Sequence, residues 1–94
     1  MEIDFDEEKN KILLEKRGIS FYQIIEAIAD KGVLLNIEHP NKEIYSHQKM
    51  FVVEYENYTY CVPYVIDRDK IFLKTIFPNR DYLYLLSKEE TDDE

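Results

Sequence analysis

Four basic side chains between residues 47 and 80 are of types that could act on RNA: His47, Lys49, Lys74 and Arg80. Cleavage through the 2′-hydroxyl needs a group that takes a proton, a group that protonates the leaving oxygen, and cations beside the phosphorus. Histidine suits proton transfer, while Arg80 offers a planar fork and Lys74 a point charge for phosphate. From spacing alone, four solvated side chains on polar strand faces remain the favoured interpretation.

The elements that must position these side chains are strands. Three runs, 49–55, 58–66 and 70–77, are rich in strand-forming residues and are separated by short polar links. This pattern predicts an antiparallel meander, with Arg80 directly after its last strand. Pro63 cannot donate a ladder hydrogen bond, so a bulge or an unpaired stretch is predicted there.

Two helices are predicted before the meander and after a short alternating strand at 2–5. Asp6 is positioned to cap the first helix, and Gly18 to end it. Ser20 and Gln23 form a capping-box pattern for the second helix. A further strand is predicted at 33–37.

The end of the chain predicts a short helix over 80–88 that returns to the sheet, because apolar residues recur there at helical spacing. The fold class is therefore predicted to be α+β, with one domain over 1–88. Residues 89–94 form an acidic tail, expected to be disordered.

The net charge of −8 is a poor guide to partners, because much of the acidity lies at the ends. Residues 1–8 and 89–94 each carry five acidic side chains without a basic one. Residues 9–88 carry 12 basic and 10 acidic side chains, and 12 − 10 = +2. The charge of the body is therefore compatible with nucleic acid.

Several classes of site are not predicted. The one cysteine, Cys61, lies in an apolar run and is expected to be a buried, inert thiol. His39 and His47 give only a weak metal signal, and no Gly-rich phosphate loop is present, so no metal or cofactor is predicted. No apolar run approaches the roughly 18 residues of a membrane span, and the protein is expected to be cytoplasmic.

The tyrosines at 45, 55, 58, 60 and 64 allow two uses. They could stack on bases or form a contact surface for a protein partner. Cross-strand packing is the favoured use for most of them.

Two segments carry a resemblance to a known family. Residues 5–10 read Phe-Asp-Glu-Glu-Lys-Asn, and residues 16–21 read Lys-Arg-Gly-Ile-Ser-Phe. Together they resemble the N-terminal signature of the BrnT family of toxin ribonucleases, with Arg17 where that family usually has histidine. The later order of elements is also similar, ending in Thr-Ile-Phe-Pro-Asn-Arg at 75–80.

The resemblance implies a RelE-like, α+β, metal-independent endoribonuclease that inhibits translation. It also implies neutralisation by a small antitoxin, commonly of the ribbon-helix-helix class, with DNA met only through that antitoxin. Arg80 matches the arginine that closes the family's last strand, and His47 lies where a charged residue enters the first meander strand. The catalytic hypothesis assigns phosphate binding to Arg80 and Lys74 and proton transfer to His47, with tyrosine or lysine as alternative bases.

The sequence also departs from the family. Residues 81–84, Asp-Tyr-Leu-Tyr, and the acidic tail replace an arginine-rich C-terminal segment. The alternative hypothesis is therefore a non-catalytic, degenerate toxin-like module that binds a protein partner through its tyrosine-bearing surface.

Overall fold

The helices and strands lie where helix caps and strand-forming runs occur in the sequence. A computed structural model describes residues 2–86, and the predicted tail at 89–94 lies outside the described residues. The elements are β1 (Glu2–Phe5), α1 (Glu7–Arg17), α2 (Phe21–Lys31), β2 (Leu35–Glu38), β3 (Lys49–Tyr55), β4 (Tyr58–Asp67), β5 (Lys70–Leu73), β6 (Phe77–Pro78) and a 3-10 helix at Arg80–Tyr82.

Both predicted helix starts are confirmed by side-chain caps. The Asp6 carboxylate accepts a hydrogen bond from the Glu8 backbone N–H at 2.8 Å. At α2, the Ser20 hydroxyl accepts from the Gln23 N–H at 3.3 Å, and the Gln23 side chain accepts from the Ser20 N–H at 2.8 Å. Gly18 ends α1 in the left-handed region, with φ of 69°. Each cap satisfies backbone groups that a helix end would otherwise leave unpaired.

The α+β class is confirmed, but the sheet is mixed rather than wholly antiparallel. Its strand order is β1-β5-β4-β3-β2, and β6 also pairs with β4. The pairs from β2 to β5 are antiparallel, whereas β1 pairs with β5 in parallel. Because β1 is followed by two helices rather than by a tight turn, it has no hairpin partner. It pairs instead with the free edge of β5.

The irregularity predicted at Pro63 is present, but it falls on the neighbouring strand. β4 runs unbroken through Pro63, while the strand beside it is interrupted between β5 and β6. The register shifts by one residue across this gap, so Thr75 and Ile76 together face Val62 as in a β-bulge. The Lys74 N–H donates to the Pro63 carbonyl at 2.8 Å, and proline has no N–H to return the bond.

The sheet buries apolar side chains on both faces. The face beneath α1 and α2 holds the larger cluster: Leu13, Ile19, Phe21, Ile24, Phe51, Val53, Val62, Tyr64, Leu73 and Ile76. The opposite face buries a smaller cluster of Met50, Val52 and Cys61, against which Tyr82 and Leu85 pack. The segment after β6 therefore covers part of this second face. No helix within residues 2–86 is long and apolar enough to cross a membrane.

Candidate functional site

The backbone position of Arg80 is fixed by hydrogen bonds of the preceding residue, Asn79. The Asn79 N–H donates to the Thr59 carbonyl at 3.0 Å, and the Thr59 hydroxyl donates to the Asn79 carbonyl at 2.6 Å. The Asn79 side chain accepts from the Asp81 N–H at 2.9 Å and caps the 3-10 helix. Arg80 is exposed, so its backbone is fixed while its guanidinium meets solvent.

Asn79 was not among the residues singled out from the sequence. Asparagine is a common cap, and its position between Pro78 and a short helical pattern could have indicated this role. Thr59 gave no such signal, because only the pairing of β4 with β6 brings it beside Asn79. Thr59 is fully buried, and its bond to Asn79 satisfies its hydroxyl.

Lys74 lies on the sheet face opposite α1 and α2. Ile71 and Leu73 belong to the helix-side core, so Phe72 and Lys74 project from the opposite face by strand alternation. The Lys74 ammonium is 5.4 Å from the centroid of the Phe72 ring, within range of a cation–π contact. Lys74 is exposed and adjoins the bulge. An aromatic ring and a cation thus lie side by side on this face.

His47 is exposed in the loop that joins β2 to β3. It lies two residues before Lys49, which pairs with Tyr64 on β4. The loop is stabilised by a hydrogen bond from the Tyr45 N–H to the Asn41 carbonyl at 2.9 Å.

The register separates the three predicted site residues. The Lys74 backbone is hydrogen-bonded to Pro63 of β4, and the Asn79 backbone is hydrogen-bonded to Thr59 of the same strand. Pro63 and Thr59 are about 13 Å apart along β4, at about 3.3 Å per residue. β3 and β5 flank β4, so their backbones are about 10 Å apart. His47 therefore approaches from the opposite flank of β4 to Lys74. Lys74 and Arg80 reach one phosphate only if both side chains extend towards each other.

The residues that carry the family resemblance, in contrast, converge at the turn between α1 and α2, termed here the α1–α2 corner (residues 5–10 and 16–21). The Asn10 side chain is buried and accepts from the Phe21 N–H at 2.7 Å. The Phe21 ring is fully buried and stacks on Phe5 with centroids 4.9 Å apart. Ile19 and Ser20 are also buried.

Arg17 connects this corner to the sheet. Its guanidinium donates a hydrogen bond to the Ile76 carbonyl, in the bulge between β5 and β6. A carbonyl is neutral, so the bond orients the guanidinium without neutralising its charge. The sequence identified Arg17 only as a departure from the family pattern, since the bulge is 59 residues away along the chain.

The tyrosines pack mainly against other rings, as favoured from the sequence. Tyr64 is buried, stacks on Phe51 at 4.1 Å and donates to the Asn36 side chain at 2.7 Å. Tyr60 makes edge contacts with Tyr55 and Tyr58. Burial, followed by the negative charge of nearby Glu56, raises the pKa of Tyr60.

Cys61 is fully buried, as predicted. Burial raises the pKa of its thiol, and a hydrogen bond with the Asn79 side chain opposes that rise only in part. A thiol in this environment is protonated and a poor nucleophile.

Two further clefts differ in charge. A cavity of about 400 Å³ between α2 and the β3–β4 hairpin is lined by four carboxylates, those of Glu26, Asp30, Glu54 and Glu56, and by Lys31. A smaller cavity of about 150 Å³ on α1 is lined by cations and apolar side chains. Within residues 2–86, no group of three or more His, Cys, Asp or Glu side chains is placed to hold a metal ion.

Comparison with known proteins gave no relative. No family model, no curated protein and no solved structure matches this chain.

Proposed function

We propose that this chain is a BrnT-like, RelE-like toxin of a toxin–antitoxin pair that cleaves RNA and thereby inhibits translation. The proposal includes a small cognate antitoxin of the ribbon-helix-helix class as its protein partner. RNA is the substrate, and DNA is met only through the antitoxin.

The observation that supports the proposal is the convergence of the signature residues at the α1–α2 corner. Asp6 caps α1, Asn10 bonds the first residue of α2, and Ser20 caps α2. Residues that share a structural task are expected to recur together in a family, so their joint use favours a shared fold over a chance match of letters. The signature thus supports a shared fold directly, and it supports the RNA-cleaving activity only because that fold is associated with it in the family.

In the proposed reaction, Arg80 and Lys74 bind phosphate and His47 transfers a proton. Arg80 is suited to this role because its turn is anchored on both sides of Asn79 while its side chain is exposed. Lys74 adds a second, exposed cation on the sheet face opposite α1 and α2. The β2–β3 loop must bring His47 towards these cations when RNA binds, because the register keeps their backbones apart.

The test is induction of the full chain in a bacterial host, following growth and the integrity of total RNA. The wild type is compared at equal protein level with Arg80→Gln and with the control Arg68→Gln. Arg68 is an exposed cation in the β4–β5 hairpin, so its substitution removes the same charge away from the Asn79 turn. Growth arrest and RNA loss are expected for the wild type and for Arg68→Gln, but not for Arg80→Gln.

Other outcomes separate the competing hypotheses. Normal growth and intact RNA from well-folded wild type would favour the non-catalytic module that only binds a protein partner. RNA loss that persists in Arg80→Gln would keep the ribonuclease and remove Arg80 from its site.

A further inference from the structure

The cavity on α1 is a second cationic surface, apart from the three candidate catalytic residues His47, Lys74 and Arg80. It is lined by Lys9, Ile12, Leu13, Lys16 and Arg17 and has a volume of about 150 Å³. Three of its five lining residues are cations, and none is acidic. A concave site of this composition suits an anion.

The helical spacing explains why these side chains share one face. Residues three, four and seven positions apart lie along the same side of a helix, so Lys9 and Lys16 lie on either side of Ile12 and Leu13. At about 1.5 Å per residue, the two lysines are about 10 Å apart along the axis. Leu13 is almost fully buried and forms the floor, while Ile12 is 44% exposed at the rim.

The cations of this cleft form no ion pair among the described residues. In the part of the chain that the structure describes, ion pairs are made by other lysines, and none involves Lys9, Lys16 or Arg17. The Arg17 guanidinium bonds the neutral Ile76 carbonyl, which holds it in place and leaves its charge available. Like charges held together without counter-charges are typical of a surface that binds an anionic partner.

We propose that this cleft binds the phosphodiester backbone of single-stranded RNA, at a subsite apart from Arg80 and Lys74. The inference rests on the proposed function, since RNA is the anion which that function supplies. The exposed Ile12 side chain at the rim offers an apolar contact for a ribose or base beside the phosphates that the cations bind. The subsite positions the strand and takes no part in the chemical step.

The chain offers a single-charge control on the same helix. Lys11 is exposed, does not line the cleft, and lies one turn from both Glu7 and Glu15. Lys11→Gln therefore removes one positive charge from α1 without changing the cleft. Arg17 is left unchanged in the test, because it also bonds the bulge.

The experiment is fluorescence anisotropy of a labelled single-stranded RNA 12-mer titrated with full-length protein. Wild type, Lys9→Gln/Lys16→Gln and Lys11→Gln are compared at several salt concentrations. The double variant is expected to bind about ten-fold more weakly at low salt, and its log–log salt slope to be smaller by about 1.4, for two phosphate contacts of about 0.7 each. Lys11→Gln is expected to stay within about two-fold of wild type. Circular dichroism melts check that all three proteins are folded.

Two results would overturn the subsite. One is RNA affinity in the double variant equal to that of wild type, and the other is a polyglutamate peptide that binds the cleft at least as tightly as RNA does. RNA cleavage measured in parallel keeps the two proposals separate. Cleavage lost in Arg80→Gln with RNA binding indifferent to Lys9 and Lys16 would uphold the ribonuclease and reject the subsite. RNA binding that depends on both lysines, without any RNA cleavage, would uphold the subsite and reject the ribonuclease.

Discussion

The α1–α2 corner and the three predicted catalytic residues differ in burial. At the corner, Asn10 and Phe21 are buried and joined by a 2.7 Å hydrogen bond. His47, Lys74 and Arg80 are exposed and lie in a loop, just after β5 and in the 3-10 helix, respectively. The segments that most resemble a known family are therefore those that hold the helices together, whereas the residues assigned to chemistry have little part in stability.

This difference shows what a sequence signature reports. A buried polar side chain such as Asn10 cannot change without leaving the Phe21 N–H unpaired, which costs about 1–3 kcal/mol. An exposed cation can change at almost no cost to folding, so only function constrains it. The resemblance in the first third of the chain consequently concerns packing residues more than residues suited to catalysis.

The largest expected effect is on the corner's buried ring. Phe21→Ala should lower the free energy of unfolding by about 3–5 kcal/mol, because it removes a fully buried ring and leaves a cavity against Phe5. Urea denaturation followed by circular dichroism measures this loss. The neighbouring Tyr22 is 57% exposed, and Tyr22→Ala serves as the control with a much smaller loss. Equal losses would show that the corner is not a packing centre.

The next effect concerns the hydrogen bond across the corner. Asn10→Ala should destabilise the fold by about 1–3 kcal/mol, because the buried Phe21 N–H loses its acceptor. Lys11→Ala, at the exposed neighbouring position, should change stability by less than about 0.5 kcal/mol. Chemical denaturation curves of the two variants would contradict this expectation if their midpoints coincided.

A smaller effect is expected at the glycine between the helices. Gly18 has φ of +69°, and a Cβ added there would meet no atom within 4 Å. The cost of Gly18→Ala is therefore the backbone cost of the left-handed region alone, about 1–2 kcal/mol. Gly18→Asn should cost less, since asparagine tolerates this region better. Thermal melts that rank asparagine below alanine would refute that explanation.

The smallest effect on stability is expected at the candidate catalytic residues. His47→Ala and Lys74→Ala should each shift the free energy of unfolding by less than about 0.5 kcal/mol. Under the proposed function, both should nevertheless reduce the cleavage of RNA by purified protein. Unchanged cleavage in both variants would show that neither His47 nor Lys74 acts with Arg80 in the reaction. The exposed candidate residues would then contribute to neither stability nor cleavage, unlike the buried residues of the corner.

Cys61 offers an independent check of the covered sheet face. Because burial raises the pKa of its thiol, the thiolate that reacts with alkylating reagents is scarce at neutral pH in the folded protein. Labelling by iodoacetamide, read by mass spectrometry, should be slow in the native state and fast in urea. Rapid native labelling would show that the segment packed over this face opens readily.

Much of the secondary structure could be predicted, because its signals are local. Asp6, Gly18 and Ser20 mark helix ends through bonds to residues two to four positions away. The limits of β3 were predicted to the residue. The gap between β5 and β6 was not, because Pro63 disturbs the strand beside it and the neighbour of β4 is a matter of tertiary pairing.

The candidate site could be predicted only as a set of residue types. The sequence by itself determined the helix caps, the strand runs, the buried thiol and the presence of cations suited to phosphate. Only the tertiary structure decided that β1 pairs in parallel with β5, that Arg17 reaches Ile76, that Thr59 anchors the turn before Arg80, and that Lys9 and Lys16 border a cleft without carboxylates. The physical reason is range: caps and alternation depend on neighbours in the chain, whereas strand pairing and clefts depend on contacts between residues far apart in sequence.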